Sequence, residues 1–336
     1  MIIVKFCSGI GNQLYQYAVY KMLQLRYPEQ EVLADVSVFE DIDRLNAGNG
    51  FSYGFALDDI FRLQVKKASR EQIDRVSYEI YFNETWRKVL SEKFCQKYAG
   101  ASRLAGLRAR LSKKYRKMRE HYVTAYPFNA FIGDLCFLKP EEDYYVSGLW
   151  QNYNYFSGIE KELRKDLIFS KELSDDGKRI KEQIDSAHSV CIHVRRGDFT
   201  SDRYKETHDI CGASYYKKAM DVIRSKVENP VFYVFSDDVE ECRKLFSEEE
   251  QVIYVSDGQR LRVDEEMRLM ASCESAIIAN STFAFWNVWI SDHPQKLVCY
   301  PRYIVREPYC WHEFSVPAHW IAVDNLIESE VMNLYE

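Results

Sequence analysis

Residues 190–198 read VCIHVRRGD: an apolar run of the buried-strand type that passes directly into two arginines, a glycine and an aspartate. Arg195 and Arg196 repel each other and lose entropy when ordered, so a strand end is a costly place for both unless an anion holds them. Guanidinium groups offer forked donors that match phosphate oxygens, and they stay charged when partly buried. Gly197 lets a backbone N–H approach the same anion. The stretch predicts a diphosphate site, with a structural ion pair between an arginine and Asp198 as the alternative.

Two more polar strings follow apolar runs in the same half of the chain. FSDD, at residues 235–238, offers Asp237 and Asp238 as metal ligands, as acceptors for the N–H groups of a base or the hydroxyls of a ribose, or as a plain helix cap. NSTF, at residues 280–283, offers hydroxyls and free N–H groups at a helix start, which is an anion site or again a cap. Three such turns in one region favour a ligand site there.

The apolar periodicity alternates regularly from residue 189 onward. Strands are expected at residues 189–193, 231–236, 251–254, 276–279 and 296–300, and helices at residues 214–226, 239–246, 264–271 and 283–290. This alternation predicts a doubly wound parallel sheet, with ligand groups at the carboxyl ends of its strands. The amino-terminal region begins in the same way, with a strand at residues 2–6, a glycine turn, a helix at 13–26 and a strand at 31–35.

The middle of the chain is less regular. Residues 86–121 are strongly basic, with leucines at helical spacing, which indicates either a solvated helical insertion or a surface that docks on an anionic membrane or lipid-linked glycan. Residues 148–153, GLWQNY, place Trp150 and Gln151 between the two predicted sheets, as ligand groups or as a packed hinge. A strand is expected at 144–148, and helices are expected at 155–167 and 174–186.

Composition excludes several classes of protein. The formal net charge of -6 argues against a general nucleic-acid binder. The nine cysteines are scattered and show no CxxC spacing, so neither a zinc site nor a disulfide framework is indicated and a reducing compartment is expected. The first apolar run is too short for a signal peptide, and no stretch approaches the roughly 20 apolar residues of a membrane span, so we expect a cytoplasmic protein. A phosphotransfer enzyme is disfavoured because no GxxxxGK[ST] motif is present.

Taken together, these strings resemble a known family. The chain carries GIGNQLYQYA at 9–18, GLWQNYNYF at 148–156, HVRRGDF at 193–199, FSDD at 235–238 and EMRLMASCESAIIANSTFAFW at 266–286. In this order they resemble glycosyltransferase family eleven, the bacterial α-1,2-fucosyltransferases. The chain departs from the family pattern at Phe199, where a tyrosine is common, and at Ala284 and Phe285, where Ser-Trp is common. These departures affect the acceptor pocket more than the donor site.

The resemblance implies an α/β fold of the GT-B type, in which two Rossmann-like doubly wound domains face a cleft. The first domain is expected at residues 1–165, on the acceptor side, with the basic insertion at 86–121. The second, the donor-binding domain, is expected at 166–336, with its last helix packing back on the first domain.

The resemblance also implies an inverting transfer of L-fucose from GDP-β-L-fucose to the 2-hydroxyl of a galactose-type acceptor. The acceptor would be a galactoside or lipid-linked glycan, with no cofactor, no metal, no nucleic acid and peripheral membrane contact through 86–121. The alternatives are a fucosyltransferase of another linkage, or a non-catalytic nucleotide- or glycan-binding protein on the same fold.

The resemblance assigns roles to residues in three groups. Arg195 and Arg196 would stabilise the leaving GDP. From the sequence alone, Asp198 is the candidate base for the acceptor hydroxyl or, equally, an orienting partner of the arginines. The other donor-binding residues would be His193, Gly197, Asp237, Asp238, Asn280, Ser281, Thr282 and Phe283. The acceptor side would be lined by Gly11, Asn12, Gln13, Trp150 and Gln151.

Overall fold

The computed structural model divides the chain into two compact units, residues 1–58 with 64–151 and residues 59–63 with 152–336. The residues described are 1–41, 54–76, 122–124, 131, 133–200, 202, 205–257, 261–291, 293, 296–307 and 310–325. The basic segment 86–121 and the carboxyl-terminal helix predicted to pack back on the first domain lie outside these ranges. Within these ranges, every helix is too short or too polar to cross a lipid bilayer.

The first unit is built on a four-stranded parallel sheet in the order β2-β1-β4-β3. Its strands are β1 (Ile2–Lys5), β2 (Val32–Asp35), β3 (Tyr122–Thr124) and β4 (Tyr144–Ser147). Its helices are α1 (Ile10–Arg26) and α3 (Arg70–Val76), and the short α2 (Leu57–Ile60) lies where the chain passes between the units. Strands β1, β2 and β4 and helix α1 form close to where the sequence predicts them, whereas no strand was predicted at β3.

Two buried polar contacts fix the strands of this sheet around β1. Asp35, at the end of β2, accepts a hydrogen bond of 2.6 Å from the Tyr145 hydroxyl on β4, so the bond spans β1. Gln16 on α1 is fully buried; its amide oxygen accepts the Cys7 N–H at 2.9 Å, and its amide nitrogen donates to the Gly148 carbonyl at 3.2 Å. Because buried polar groups are costly unless paired, these bonds hold the carboxyl ends of β1 and β4 together.

The second unit contains a six-stranded parallel sheet in the order β12-β9-β8-β5-β6-β7. Its strands are β5 (Ser189–Val194), β6 (Val231–Ser236), β7 (Val252–Tyr254), β8 (Ser275–Ile277), β9 (Leu297–Pro301) and β12 (Ile321–Val323). A separate antiparallel hairpin is formed by β10 (Tyr303–Glu307) and β11 (Cys310–Glu313). The helices are α4 (Glu160–Asp166), α5 (Asp175–Asp185), α6 (Lys205–His208), α7 (Ala213–Arg224), α8 (Val239–Leu245), α9 (Val263–Ser272) and α10 (Thr282–Trp289).

Strand β5 lies at the centre of this sheet, and all six of its residues are buried. The chain leaves β5 toward β6 and β7 on one side, and then crosses over to β8, β9 and β12 on the other side. The gap between β5 and β8 is therefore the topological switch point, where parallel α/β sheets bind their ligands. VCIHVRRGD occupies this point because its apolar half, Val190 to Val194, packs into the central core.

The predicted α/β class with two parallel-sheet units is confirmed. The expected strands and helices from residue 189 to 300 all form, shifted by a residue or two at their ends. Strands β3, β10, β11 and β12 and the short helices α2, α3 and α6 were not predicted.

Residues 152–159 differ from the prediction. The helix expected at 155–167 begins only at Glu160, because Asn152 caps a short 3-10 turn, Tyr153–Tyr155, that precedes it. The division between the units falls after Gln151, whereas the sequence places the domain boundary after residue 165. The Phe156 ring stacks on Trp286 with centroids 4.9 Å apart, so this segment belongs to the core of the second unit.

Replacing Tyr145 by phenylalanine tests the contact across β1. The change leaves the buried Asp35 carboxylate with one hydrogen bond fewer, and we expect a loss of about 2 kcal/mol in the free energy of unfolding. Urea unfolding followed by circular dichroism measures it. Tyr254→Phe, on the partly exposed edge strand β7, is the control and should change stability by less than about 0.5 kcal/mol. Equal effects of the two substitutions would contradict a stabilising role for the Tyr145–Asp35 bond.

Candidate functional site

The polar residues that follow three neighbouring strands meet at one edge of the second sheet. Arg195 and Arg196 follow β5, Asp237 and Asp238 follow β6, and residues 278–282 link β8 to α10. Since all three strands are parallel, their carboxyl ends lie side by side at the switch point. The structure thus brings together the three motifs that the sequence singles out in this half of the chain.

Arg195 is held by the end of the neighbouring strand. Its Nη1 lies 2.8 Å from Oδ2 of Asp237, and both side chains are about one quarter exposed, at 24% and 28%. Its guanidinium carbon also lies 5.9 Å from the centre of the Phe199 ring, within the range of a cation–π contact.

Arg196 has a different partner. Its Nη1 lies 2.7 Å from Oδ1 of Asp209, and its backbone N–H donates to Oδ1 of Asp237 at 2.9 Å. Only 15% of the Arg196 side chain is exposed. The recorded ion pairs of the two arginines are thus with Asp237 and Asp209, two residues that the sequence does not identify as their partners. Asp198 lies in the 3-10 turn Gly197–Thr200, and its side chain is outside the described part of the structure.

The Asp237 carboxylate is the centre of this arrangement. Gly197 packs so closely against it that a Cβ atom at position 197 would lie 2.4 Å from Asp237 Oδ2. Glu266, on α9, lies near enough for their charges to interact. Burial and then the Asp237 charge raise the pKa of Glu266 from 4.5 to about 7.

Glu266 is a site residue that the sequence reasoning missed. It belongs to three consecutive acids at the start of α9. Glu265 accepts the backbone N–H groups of Ser174 and Arg262, and Asp264 pairs with the Arg262 side chain. A helix start needs only some of its acids for capping, so an additional acid in the run is the signal that could have identified Glu266.

Asp238 takes the capping role that the sequence left open. Its Oδ1 accepts the Glu241 N–H at 3.0 Å and so caps α8. Among the described residues, no group of three or more His, Cys, Asp or Glu side chains is placed to hold a metal ion.

Asn280 and Ser281 differ in how their side chains are used. The Asn280 amide nitrogen donates to the carbonyls of His208 and Ile304, at 3.0 and 2.9 Å, which uses both of its hydrogens. Ser281 stands at the N-cap of α10, and its side chain makes no capping hydrogen bond. Thr282 is the first residue of that helix and lies only partly buried. The predicted donor contacts of these residues stay predictions.

His193 is a neutral, buried side chain of β5. Burial, and then the charge of Arg195, lower its pKa from 6.5 to about 3. Its carbonyl accepts the Tyr216 hydroxyl at 3.1 Å, and its ring centre lies 6.1 Å from that of Phe283. Its Nδ1 is buried without a hydrogen-bond partner among the residues described. The ring therefore adds no positive charge beside the arginines at neutral pH.

The first unit has its own polar network, at the ends of β1 and β4. Asn12 Nδ2 donates to the Ser8 hydroxyl at 2.8 Å, and Gln151 donates to Asn12 Oδ1 at 2.6 Å. Ser8 and Trp150 both adopt positive φ values, 70° and 56°, which is uncommon for residues other than glycine. Such backbone strain often accompanies a binding site.

The other acceptor-side residues are enclosed in the first unit. Gln13 is fully buried and bonds to the backbone of Ser8, Gly54 and Ala56. Trp150 is also fully buried, and Gly11 is buried within α1. The prediction of an acceptor site therefore depends chiefly on Asn12 and Gln151.

Comparison with known proteins supplies a family. The model of glycosyl transferase family 11 matches residues 87–299. An α-1,2-colitosyltransferase of Escherichia coli is 34% identical over 185 residues, which is 53% of this chain and 61% of that protein. The O-antigen biosynthesis glycosyltransferase WbnK of Escherichia coli is 24% identical over 88% of this chain and 92% of its own length. The galactoside alpha-(1,2)-fucosyltransferase 1 of Ateles belzebuth is 27% identical over 53% of this chain and 49% of its own.

Gly197→Ala tests the close approach to Asp237. The added methyl group must displace the carboxylate that holds Arg195 and the Arg196 N–H, and we expect a loss of about 2 kcal/mol in the free energy of unfolding. Gly158→Ala is the matched control, because a Cβ atom there meets nothing within 4 Å. Thermal unfolding compares the two. A Gly197→Ala protein as stable as the control would contradict the close packing.

The raised pKa of Glu266 predicts a dependence of stability on pH. Its carboxyl binds a proton more tightly in the folded chain, so the folded state loses relative stability as pH rises from about 4.5 through about 7. Glu266→Gln removes this loss, and we expect the variant to gain roughly 2 kcal/mol relative to the wild type between pH 5 and pH 8. Urea unfolding at several pH values measures the difference, with the exposed Glu240→Gln as control. If the free energies of unfolding of the wild type and of Glu266→Gln changed with pH in the same way, the raised pKa of Glu266 would be contradicted.

Proposed function

Since the chain belongs to glycosyltransferase family 11, we propose that it transfers L-fucose from GDP-β-L-fucose to the 2-hydroxyl of a galactose-type acceptor. The transfer inverts the anomeric carbon and requires no metal ion. The observation that carries the proposal is the pair of guanidinium groups, Arg195 and Arg196, fixed at the switch point of the second sheet. Permanently charged donors at such a point are suited to a diphosphate.

The arginines act on the leaving group. As the acceptor oxygen attacks the anomeric carbon, the bond from that carbon to the diphosphate breaks and negative charge collects on the departing oxygen. Arg195 and Arg196 stabilise this charge, and each such donor contributes roughly 3 kcal/mol to lowering the barrier. Asp237 lies 2.8 Å from Nη1 of Arg195 and Asp209 lies 2.7 Å from Nη1 of Arg196, so both guanidinium groups are held at the strand end.

Asp237 and Glu266 receive the nucleoside in this proposal. A guanine edge and a ribose both present hydrogen-bond donors, and the carboxyl oxygens of Asp237 and Glu266 are acceptors for them. Ser281 and Thr282 at the start of α10 contribute to the phosphate site. Asn280 contributes by holding the surrounding backbone.

Asp198 is the proposed base for the acceptor hydroxyl. It follows the arginine pair and Gly197 directly in the chain, which brings its backbone to the reacting end of β5. Its alternative role is to orient an arginine. Asn12 and Gln151 of the first unit are the proposed contacts for acceptor hydroxyls, since Asn12 is only partly buried and is hydrogen-bonded to Gln151.

The relatives support the linkage more strongly than the sugar. Two of them carry an α-1,2 linkage in their names, for colitose in one and for fucose on a galactoside in the other. Colitose is fucose without its 3-hydroxyl group, so GDP-colitose is the second candidate donor.

The proposed acceptor is a galactose residue in a surface or lipid-linked glycan. The proposed location is the cytoplasm, with membrane contact through residues 86–121.

A donor screen tests the proposal. Calorimetry with GDP-fucose, GDP-colitose, GDP-mannose and UDP-galactose identifies the donor, and release of GDP with lactose as acceptor measures transfer. We expect binding of GDP-fucose and transfer to lactose, with kcat reduced about 100-fold in Arg196→Ala and within about twofold of wild type in the surface control Arg224→Ala.

Three outcomes would count against parts of the proposal. Transfer by Arg196→Ala within about tenfold of wild type would remove the leaving-group role. Preference for GDP-colitose would change the sugar alone. Bound GDP-fucose that is never consumed with a panel of galactosides would indicate a binding protein on the same fold.

A further inference from the structure

The inference concerns Asp209, the partner of Arg196, and it rests on the proposed role of Arg196 at the diphosphate. Asp209 follows the short helix α6 and precedes α7, so it belongs to a connecting segment and not to a strand end. Its Oδ1 lies 2.7 Å from Arg196 Nη1, and the two side chains are only 24% and 15% exposed. A partly buried pair of this kind is screened less by solvent than a surface ion pair.

Two buried asparagines fix the backbone on either side of Asp209. The Asn280 amide donates to the carbonyl of His208, the preceding residue, at 3.0 Å. The Asn325 amide donates to the carbonyl of Ile210, the following residue, at 3.4 Å. Asn280 and Asn325 are 4% and 5% exposed. The peptide units that follow His208 and Ile210 are therefore both tied to the interior of the second unit.

Each asparagine is itself fixed to the strand β10. Asn280 also donates to the Ile304 carbonyl at 2.9 Å. Asn325 accepts the Tyr303 N–H at 3.1 Å and donates to the Tyr303 carbonyl at 3.2 Å. Buried amides with several satisfied hydrogen bonds make a segment rigid, because breaking any one bond leaves a polar group unpaired. Asp209 thus presents its carboxylate from a rigid support, although it lies between helices.

An arginine on a rigid carboxylate loses its rotamer freedom before any ligand binds. A long arginine side chain otherwise loses that entropy when it engages its ligand. Asp209 engages one terminal nitrogen of Arg196 at 2.7 Å, which restricts the rotamers open to this largely buried side chain. Pre-organised charge contributes most in the transition state, when negative charge on the leaving oxygen is largest.

We propose that Asp209 is a positioning residue that holds the Arg196 guanidinium in its productive orientation, and that Asn280 and Asn325 hold Asp209. Asp209 contacts neither substrate; it acts through Arg196. A competing carboxylate, by contrast, would occupy the arginine until the donor displaced it. The two roles predict opposite effects when the charge of Asp209 is removed.

A double-mutant cycle tests the proposal, with Asp209→Asn and Arg196→Ala made singly and together. The cycle is measured as GDP-fucose transfer to lactose and as GDP binding by calorimetry. We expect Asp209→Asn alone to lower kcat about 30-fold and to weaken GDP binding by less than about fivefold. In the Arg196→Ala background the same change should alter kcat by less than about twofold, since a positioning residue has nothing left to act on.

The controls separate positioning from folding. Asp221→Asn removes the charge of another arginine-paired aspartate, on the surface of α7, and should leave kcat within about twofold. Asn325→Ala frees one side of the Asp209 segment and should lower kcat in the same direction as Asp209→Asn. Thermal unfolding confirms that each variant is folded at the assay temperature, and Asp209→Glu, which keeps the charge, should recover part of the loss.

Several results would overturn the proposal. Tighter GDP binding or a raised kcat in Asp209→Asn would show that Asp209 competes with the donor. An unchanged kcat in Asp209→Asn would show that Asp209 forms an ion pair without a role in transfer. Equal losses of kcat from Asp209→Asn in the wild type and in Arg196→Ala would show that the effect does not depend on Arg196. A wild-type protein that neither binds GDP nor transfers fucose would instead contradict the proposed function, which is a different outcome.

Discussion

The repulsion between two adjacent guanidinium groups at the end of a buried strand is the constraint around which the second unit is organised. The two arginines lie at the edge of the core, because the six residues of β5 that precede them are all buried in it. Each arginine forms an ion pair with a carboxylate from a different segment: Arg195 with Asp237, after β6, and Arg196 with Asp209, before α7. The arginines are ordered as a result, at the switch point where parallel sheets bind their ligands.

The Asp237 carboxylate interacts with three groups at the same point: the Arg195 side chain, the Arg196 backbone N–H and the Glu266 carboxyl. One of its oxygens accepts the Arg196 N–H, and the other pairs with Arg195. Its charge, together with burial, keeps a proton on Glu266 up to about neutral pH. A Cβ atom at position 197 would lie 2.4 Å from Asp237 Oδ2, so a side chain there requires the carboxylate to shift.

The sequence predicts the parts of the fold that depend on short-range pattern. Apolar runs such as residues 189–194 identify the strands, and the residues after them identify the edge where a ligand site forms. Contacts between distant segments are beyond such reasoning. Nothing near Arg196 in the sequence indicates Asp209 as its partner, and the enclosure of Trp150 depends on packing within the first unit. The role of Asn280 as a clamp likewise depends on β10, which the periodicity does not predict.

A crystal structure with bound GDP would show whether the two arginines bind the diphosphate. We expect diphosphate oxygens within hydrogen-bond distance, about 2.7–3.2 Å, of both Arg195 and Arg196. We also expect Arg196 to keep its contact with Asp209 while the ligand is bound. A nucleotide bound elsewhere, with the two guanidinium groups engaged only by Asp237 and Asp209, would contradict the account.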